Sequence, residues 1–535
     1  MVRIASAVDQ VLALRADVAA AARLTRDLPP FLRHPLTAAE AHLRVQARLA
    51  TREARFFEVL ERAIYVHPDS PYLRLLRAAG CELGDVRALV ATEGIEGALR
   101  VLADRGVYVS FDEMKGRRET VRGSARFRFH DADFASPISH PHFIRFTGGT
   151  GGRPSRVGTS LAFIEEWGTS VIVTLAAHGV HEPAGAHWWP ISIPHNLLFA
   201  RMGLPTLGWF YPVHPLPRPA LLAARYVRML GQLAGADLPL PQRCDLDDPL
   251  PLARWLAARA TPQRPIAVWA TASAGARLGQ AAAAAGVSLR GVALVIGSEA
   301  VTDSRRQHVE AAGAQVIAKY GTIELSGLSH ACATPSGPDD VHLHRDRYAL
   351  IQRPLSVGDG GPTVDALYFT NLSPNSGVIT LNVAPGDYAH VEERDCGCAL
   401  GALGMRTHLS EIGSYEKLTG EGVTFARSNL QHVLDSLLPA RFGGTGLDYQ
   451  LAEEEASDST TRLILRVSPA VGPIDEQALR AAFLQLVGQS GPVDAYQARI
   501  WHDAGTLQIR REGPVATTAG KVLPFQFLPR RSTRA

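Results

Sequence analysis

Between residues 264 and 321, short unbroken apolar runs alternate with segments of helical character. PIAVWA is followed by ARLGQAAAAAG, GVALVIG by TDSRRQHVEAAG, and then comes AQVIAKYG. A strand that is apolar on both faces must be covered on both, and intervening helices of about 10–15 residues do this in parallel βαβ units. The alternation commits the chain, from about residue 140, to an α/β fold. Residues 343–400 read as more β-rich, with HLHRDRYALI, ALYFTNL and GVITLNV.

The flanks differ. Residues 1–105 are rich in Ala, Leu and Arg, and AEAHLRVQARLATREARFFEVLERA repeats apolar positions at three and four, so this region reads as helices packed on the α/β domain. After about 412, LILRVSP, PIDEQALRAAFLQLVGQ, AYQARIW and TLQIRRE read as strand, helix, strand, strand, a small α+β unit. The expected organisation is a large α/β domain over 1–412, mainly helical in 1–105 and with a β-rich lobe. A hinge at 413–423 (GSYEKLTGEGV) then leads to a small mobile α+β domain over 424–535.

A net charge of +3 on 535 residues, without a clustered basic stripe, argues against nucleic acid or an anionic membrane as partner. No apolar run reaches the ~18 residues of a membrane span, and Asp9, Arg15 and Asp17 interrupt the N-terminus, so no signal peptide is expected. Five cysteines do not make a disulfide framework. The expectation is a soluble cytoplasmic protein. Of its 55 basic residues only Lys115, Lys319, Lys417 and Lys521 are lysines, which makes each one informative.

Thr147-Gly148-Gly149-Thr150-Gly151-Gly152-Arg153-Pro154-Ser155 follows the apolar HFIRF. Its glycines let backbone N–H groups approach an anion, and two threonine hydroxyls add donors. It lacks the Gly-Lys-Ser/Thr of a Walker loop, and Pro154 stands where a dinucleotide fingerprint has its third glycine. Taken alone it is a flexible turn. Further along the chain stand Gly297-Ser298-Glu299-Ala300 at a strand end, Tyr320-Gly321-Thr322-Ile323-Glu324, Gly386-Asp387, and Gly520-Lys521. Taken singly, Tyr320 is a core aromatic, Asp387 a turn-former and Lys521 a solvated cation.

In this order the motifs resemble those of adenylate-forming enzymes, and GSEAVTDSRRQHVEAAGAQVIAKYGTIELSG resembles the phenylacetate–CoA ligase group among them. Ser70-Pro71-Tyr72 and VHLHRDRYAL look like that group too; the resemblance covers roughly residues 40–530, patchily. It implies that Thr147, Gly148, Gly149, Thr150, Gly151 and Gly152 hold the ATP phosphates. It likewise implies that Ser298, Glu299 and Ala300 meet the adenine, with Tyr320, Gly321 and Thr322 beside them. Asp387 would take the ribose hydroxyls and Glu324 would ligate Mg²⁺. Thr147, Thr150, Glu324 and Lys521 are the implied catalytic set. Two anions, a carboxylate and an α-phosphate, must meet, and a compact ammonium such as Lys521 suits the space between them better than a planar guanidinium.

Cys396-Gly397-Cys398 is a close thiol pair, and pairs of this kind in a cytosolic chain favour metal over disulfide, although two free thiols are the plain alternative. Some phenylacetate–CoA ligase relatives carry a zinc in this region, held by a Cys and a His upstream of a Cys-x-Cys. The resemblance thus implies a structural zinc on Cys332, His342, Cys396 and Cys398, with His342 preferred to His330 or His344. Cys81 and Cys244 are expected in the core.

Trp188, Trp189 and His195 occupy the stretch where relatives line the acyl pocket, and two adjacent tryptophans rarely both bury well. Thr380–Pro385 replaces an arginine-rich stretch, and Ser414 and Glu421 stand where arginines are expected. The function implied is ATP- and Mg²⁺-dependent activation of a carboxylic acid, with an aromatic or bulky acyl group, as acyl-adenylate. Acyl transfer to CoA completes the reaction, or else transfer to an amine or a carrier-protein thiol. A degenerate nucleotide-binding relative is the non-enzyme alternative, and a homodimer is allowed.

Overall fold

The computed structural model describes residues 7–146, 155–189, 193–212, 216, 218–356, 363–415, 419–420, 423–424, 430–455, 461–489, 498, 501, 507–517 and 520–528. It is a mixed α/β structure. The expected alternation becomes the parallel half of one large sheet. Strands Gln315–Tyr320, Val292–Gly297, Ile266–Thr271, Ala184–Trp188, Thr206–Tyr211 and Pro241–Arg243 lie side by side in that order, each pair parallel. Every residue of Ile266–Thr271 and Val292–Gly297 is buried. Helices Ala272–Ala284 and Asp303–Ala311 cover them, packed so closely that a Cβ at Gly279 would overlap the His308 carbonyl.

Beyond Gln315–Tyr320 the sheet turns antiparallel, through Ser329–Ala331, Val341–Leu343, Thr407–Ser414, Asp387–Glu393 and Thr363–Asn371. This is the expected β-rich lobe. It carries its own apolar core, which also takes Phe56, Leu60, Tyr72, Leu99 and Leu102 from the N-terminal helices. Those helices straddle both cores, since Leu24, Leu28 and Leu32, four residues apart, join the core of the parallel half. Arg48 reinforces this through Asp346 (2.8 Å) and Thr169 (2.7 Å).

The stretch expected to be arginine-rich does structural duty. Asn382 has a φ of +51°, and its buried amide donates to the Leu99 and Val107 carbonyls at 2.8 and 3.1 Å. A short amide tolerates the left-handed backbone and bonds locally, which an arginine there would not reproduce.

The C-terminal residues build a second sheet, ordered Leu507–Arg510, Thr461–Val467, Tyr449–Glu455, Phe525–Leu528, over helix Glu476–Gly488, with a separate core. The strand expected at AYQARIW is corrected by the structure: Ala498 and Trp501 are helical and buried in that core. These two lie three apart, at helical spacing, and β-branching in the stretch is too sparse to favour a strand. Strand Thr407–Ser414 runs into the expected hinge, and Tyr415 beyond it is buried in the lobe core. Lys417 and Glu421 lie outside the described residues. Among the described residues no helix is long and apolar enough to cross a membrane.

Asn382→Ala removes two bonds to buried carbonyls and leaves the left-handed backbone to a residue without the amide that offsets its strain. It should lower stability by roughly 2–4 kcal/mol, and Asn382→Gly by less, in thermal unfolding followed by tryptophan fluorescence.

Candidate functional site

The carboxyl ends of Val292–Gly297 and Gln315–Tyr320 and the start of helix Ala272–Ala284 form the floor of the site. The chain leaves the first strand through Ser298, whose φ of +65° is rare outside glycine. That turn aims Glu299 inward. Its carboxylate accepts from the Ser273 amide (2.7 Å) and hydroxyl (3.0 Å) and faces Arg305 at 3.4 Å. Burial raises its pKa, against Arg305, Ser273 and Lys521, which lower it. Arg305 also donates to the Ala300 carbonyl at 2.9 Å. Glu299 is thus engaged with protein, while Ser298 and Ala300 offer backbone.

Tyr320 donates its hydroxyl to Asp387 at 2.9 Å, so two motifs 67 residues apart meet. Burial and the neighbouring Asp387 carboxylate push the Tyr320 phenol well above its ordinary value, which keeps it a donor. Thr322 accepts from the Leu325 amide at 3.2 Å, folding the turn that presents Glu324. Arg145, on strand Phe143–Phe146 leading to the glycine-rich loop, donates to Ser326 (2.7 Å) and to the Ile323 carbonyl (3.1 Å). The base of the loop is thereby tied to the Glu324 turn. Residues 147–154 themselves, with Thr147, Gly148, Gly149, Thr150, Gly151 and Gly152, lie outside the described residues; Ser155 is buried.

Glu324 is 5% exposed, and its Oε1 lies 3.4 Å from the Lys115 ammonium yet accepts no hydrogen bond among the described residues. A buried, under-coordinated carboxylate oxygen beside the loop base is suited to a divalent cation.

The two adjacent tryptophans part company. Trp188 is corrected from pocket to core: it is 1% exposed and its indole donates to the Cys244 carbonyl at 2.9 Å. Strand alternation turns Trp189 the other way, 6.4 Å from the His195 ring between centroids, with the Lys319 ammonium 4.7 Å over its indole. Burial holds His195 neutral, helped by His187, Lys319 and Arg145. Lys319 has no carboxylate partner among the described residues. Burial, with Lys521 nearby, pushes it down to about 8.

Lys521 comes from the other unit. Its turn is closed by Thr517, which donates its amide to the Lys521 carbonyl (2.7 Å), and by the Gly520 amide on the Thr517 carbonyl (2.8 Å); Gly520 has a φ of +75°. The next amide, Val522, donates to Ser273 at 3.4 Å. Asp435 adds a second anchor, accepting from Thr302 at 2.9 Å. The structure therefore brings Lys521, Lys319, Glu299 and Ser273 together.

A second cluster sits in the antiparallel lobe. Ligand atoms of Cys332, His342, Cys396 and His408 all lie within 4.8 Å of one another. Cys398 joins them, its sulfur 3.2 Å from His342 Nε2. Hydrogen bonding from Cys332, and then from His342, draws Cys398 well below its ordinary value, toward the thiolate a metal needs. His342 is oriented by the Met405 carbonyl at Nδ1 (2.6 Å) and His408 by Asp340 (2.8 Å), leaving both Nε2 atoms facing the sulfurs; that of His408 is buried without a hydrogen-bond partner among the described residues. His330 and His344 bond each other at 2.7 Å instead. Sequence reasoning misses His408, because only the register that sets it opposite His342 reveals it.

No family model and no curated protein matches this chain. Solved structures do resemble it. A 2-hydroxyisobutyryl-CoA ligase in complex with 2-HIB-AMP and CoA is 17% identical over 94% of this chain and 90% of its own, at a TM-score of 0.41. The amide bond synthetase McbA from Marinactinospora thermotolerans is 15% identical over 93% and 98%, at 0.41. The anthranilate CoA ligase AuaEII in complex with anthranoyl-AMP is 12% identical over 92% and 95%, at 0.44. Likenesses this distant leave the chemistry to be read from the side chains.

Lys319 gives a pH test. Between about 8 and the ordinary lysine value of 10.5 the unfolded chain holds a proton that the folded chain has lost. Stability must rise with pH across that window, and below it the buried charge is a full penalty. Lys319→Met should raise the melting temperature at pH 7 and flatten the rise above pH 8.

Proposed function

We propose that this protein is an adenylate-forming ligase that activates a carboxylic acid with ATP. The observation that carries the proposal is the seating of Lys521 at the large unit's site, through the Val522–Ser273 bond, beside Lys319 and Glu299. A carboxylate oxygen attacks the α-phosphorus, the bond to the β-phosphate oxygen breaks, and pyrophosphate leaves. Lys521 lies between the two anions and offsets their repulsion as they close. The Thr147–Gly152 loop, tied to the site through Arg145, cradles the departing phosphates, and Asp387, held by Tyr320, takes the ribose hydroxyls. Ser298 and Ala300 face the adenine with backbone groups. Glu324 would hold Mg²⁺, which when bound would supply charge neutralisation on the phosphates.

The acyl group lies toward Trp189 and His195, a neutral, aromatic wall suited to an aryl or bulky acid. An acceptor nucleophile, with CoA thiol the leading candidate and an amine or carrier-protein thiol behind it, then attacks the acyl carbon and AMP leaves. The small domain, 424–535, rotates between the two steps. Because Ser414 and Tyr415 are both bonded to the Gly386 carbonyl, at 3.0 and 2.9 Å, rotation begins after Tyr415. The phenylacetate–CoA ligase-like branch is supported by the convergence of Cys332, His342, Cys396 and Cys398. These residues and His408 would supply the donors to a structural zinc, which would pin the lobe. We place the enzyme in the cytoplasm.

Exchange of labelled pyrophosphate into ATP should depend on an added acid, tested over aryl and alkyl acids, and Lys521→Ala should slow it by about 10²–10³-fold. Exchange that no acid stimulates overturns the proposal. Metal analysis of the purified protein should find one zinc per chain, lost in a Cys332→Ser/Cys396→Ser variant that also melts earlier.

A further inference from the structure

Lys115 is the one described lysine that no motif claimed, and the structure puts it on Glu324. It caps the helix Phe111–Met114, itself closed by Ser110 and Glu113, which bond each other's backbone amides at 2.9 and 3.3 Å. Its ammonium lies 4.6 Å over the Phe111 ring and 3.4 Å from Glu324 Oε1, with the side chains 17% and 5% exposed. Such a separation exceeds the ~2.7–2.9 Å of a tight charge-assisted bond, and Oε1 receives no aligned donor among the described residues. The pair neutralises charge without locking it.

Several other buried pairs in this chain are held by aligned donors, and even Glu299, 3.4 Å from Arg305, has its oxygens met by the Ser273 amide and hydroxyl. Arg48 with Asp346, Arg55 with Glu166 and Arg122 with Glu113 close at 2.8 to 2.9 Å through guanidinium donors. Arg145, whose charge also acts on Glu324, has its donors committed to Thr159, Ser326 and Ile323. Lys115, a point charge on a flexible stem, can come and go.

We infer that Lys115 is a placeholder cation: it pairs with Glu324 and keeps its oxygen aimed while nucleotide is absent, and yields that oxygen to the divalent ion that arrives with ATP. The inference rests on the adenylation proposal. Lys115 acts through Glu324, so it is a positioning residue, and it competes with the metal that it prepares for.

The test is thermal unfolding of the full chain with and without ATP and increasing Mg²⁺, no acid being present. Lys115→Met should melt earlier than wild type without ligand, be stabilised more by MgATP, and need at least about fivefold less Mg²⁺ for half-saturation at fixed ATP. Lys115→Arg should not show the lower Mg²⁺ requirement, and Lys115→Met placed on Glu324→Gln should change nothing further. Should Lys115→Met not fold, Lys115→Gln carries the same expectation. A wild-type response with an equal or higher Mg²⁺ requirement in the variant overturns the placeholder alone. No response to MgATP in either protein overturns both it and the adenylation proposal.

Discussion

The burial of the Glu299 carboxylate is the constraint on which the rest of the site depends. An ionised group in the interior is tolerated only when its oxygens are met by donors. Here Ser273, at the start of one helix, and Arg305, on the next, supply them. The two helices and the two strands they cover are thereby fixed at one point. The same two residues reach the second unit, Ser273 through Val522 and Arg305 toward Asp435 at 3.8 Å. One buried charge organises the floor of the site and the seat of Lys521.

The change from parallel to antiparallel pairing at Gln315–Tyr320 has the next largest consequence. On one side lie strand ends and helix starts, the customary place for a ligand in an open α/β sheet. On the other, direct antiparallel register sets His342 against His408 and brings the cysteines to them. The lobe that carries Asp387 also carries the sulfur–imidazole cluster, so a metal there would support the proposed nucleotide site from a distance without touching it.

Much of this is legible in the chain. The parallel strands are written in unbroken apolar runs, and the turns bearing Glu324, Asp387 and Lys521 are marked by glycine. What escapes is whatever depends on pairing across long separations. His408 is one histidine in an ordinary strand until its partner is known. Lys115 sits in no motif, and only the fold brings it to Glu324. Trp188 and Trp189 differ by the two-residue period of a strand, which places one in the core and the other under the Lys319 ammonium. Asn382 lies in the stretch, Thr380–Pro385, that stands where arginines are expected, and its backbone angle and two long-range bonds make it a clasp for the N-terminal helices. AYQARIW is ambiguous because a short apolar run fits either period, and tertiary packing chooses the helix.

The proposed chemistry turns on one event, a carboxylate oxygen becoming bonded to the α-phosphorus of ATP. Supplying a free acid that supports pyrophosphate exchange, labelled with ¹⁸O in its carboxylate, tests this without knowledge of the acceptor. When the acyl carbon is attacked, its bond to the bridging oxygen breaks and that oxygen stays with AMP. The predicted result is AMP carrying one ¹⁸O atom for each acyl group transferred. Unlabelled AMP, or label appearing in inorganic phosphate with ADP as the nucleotide product, would contradict it.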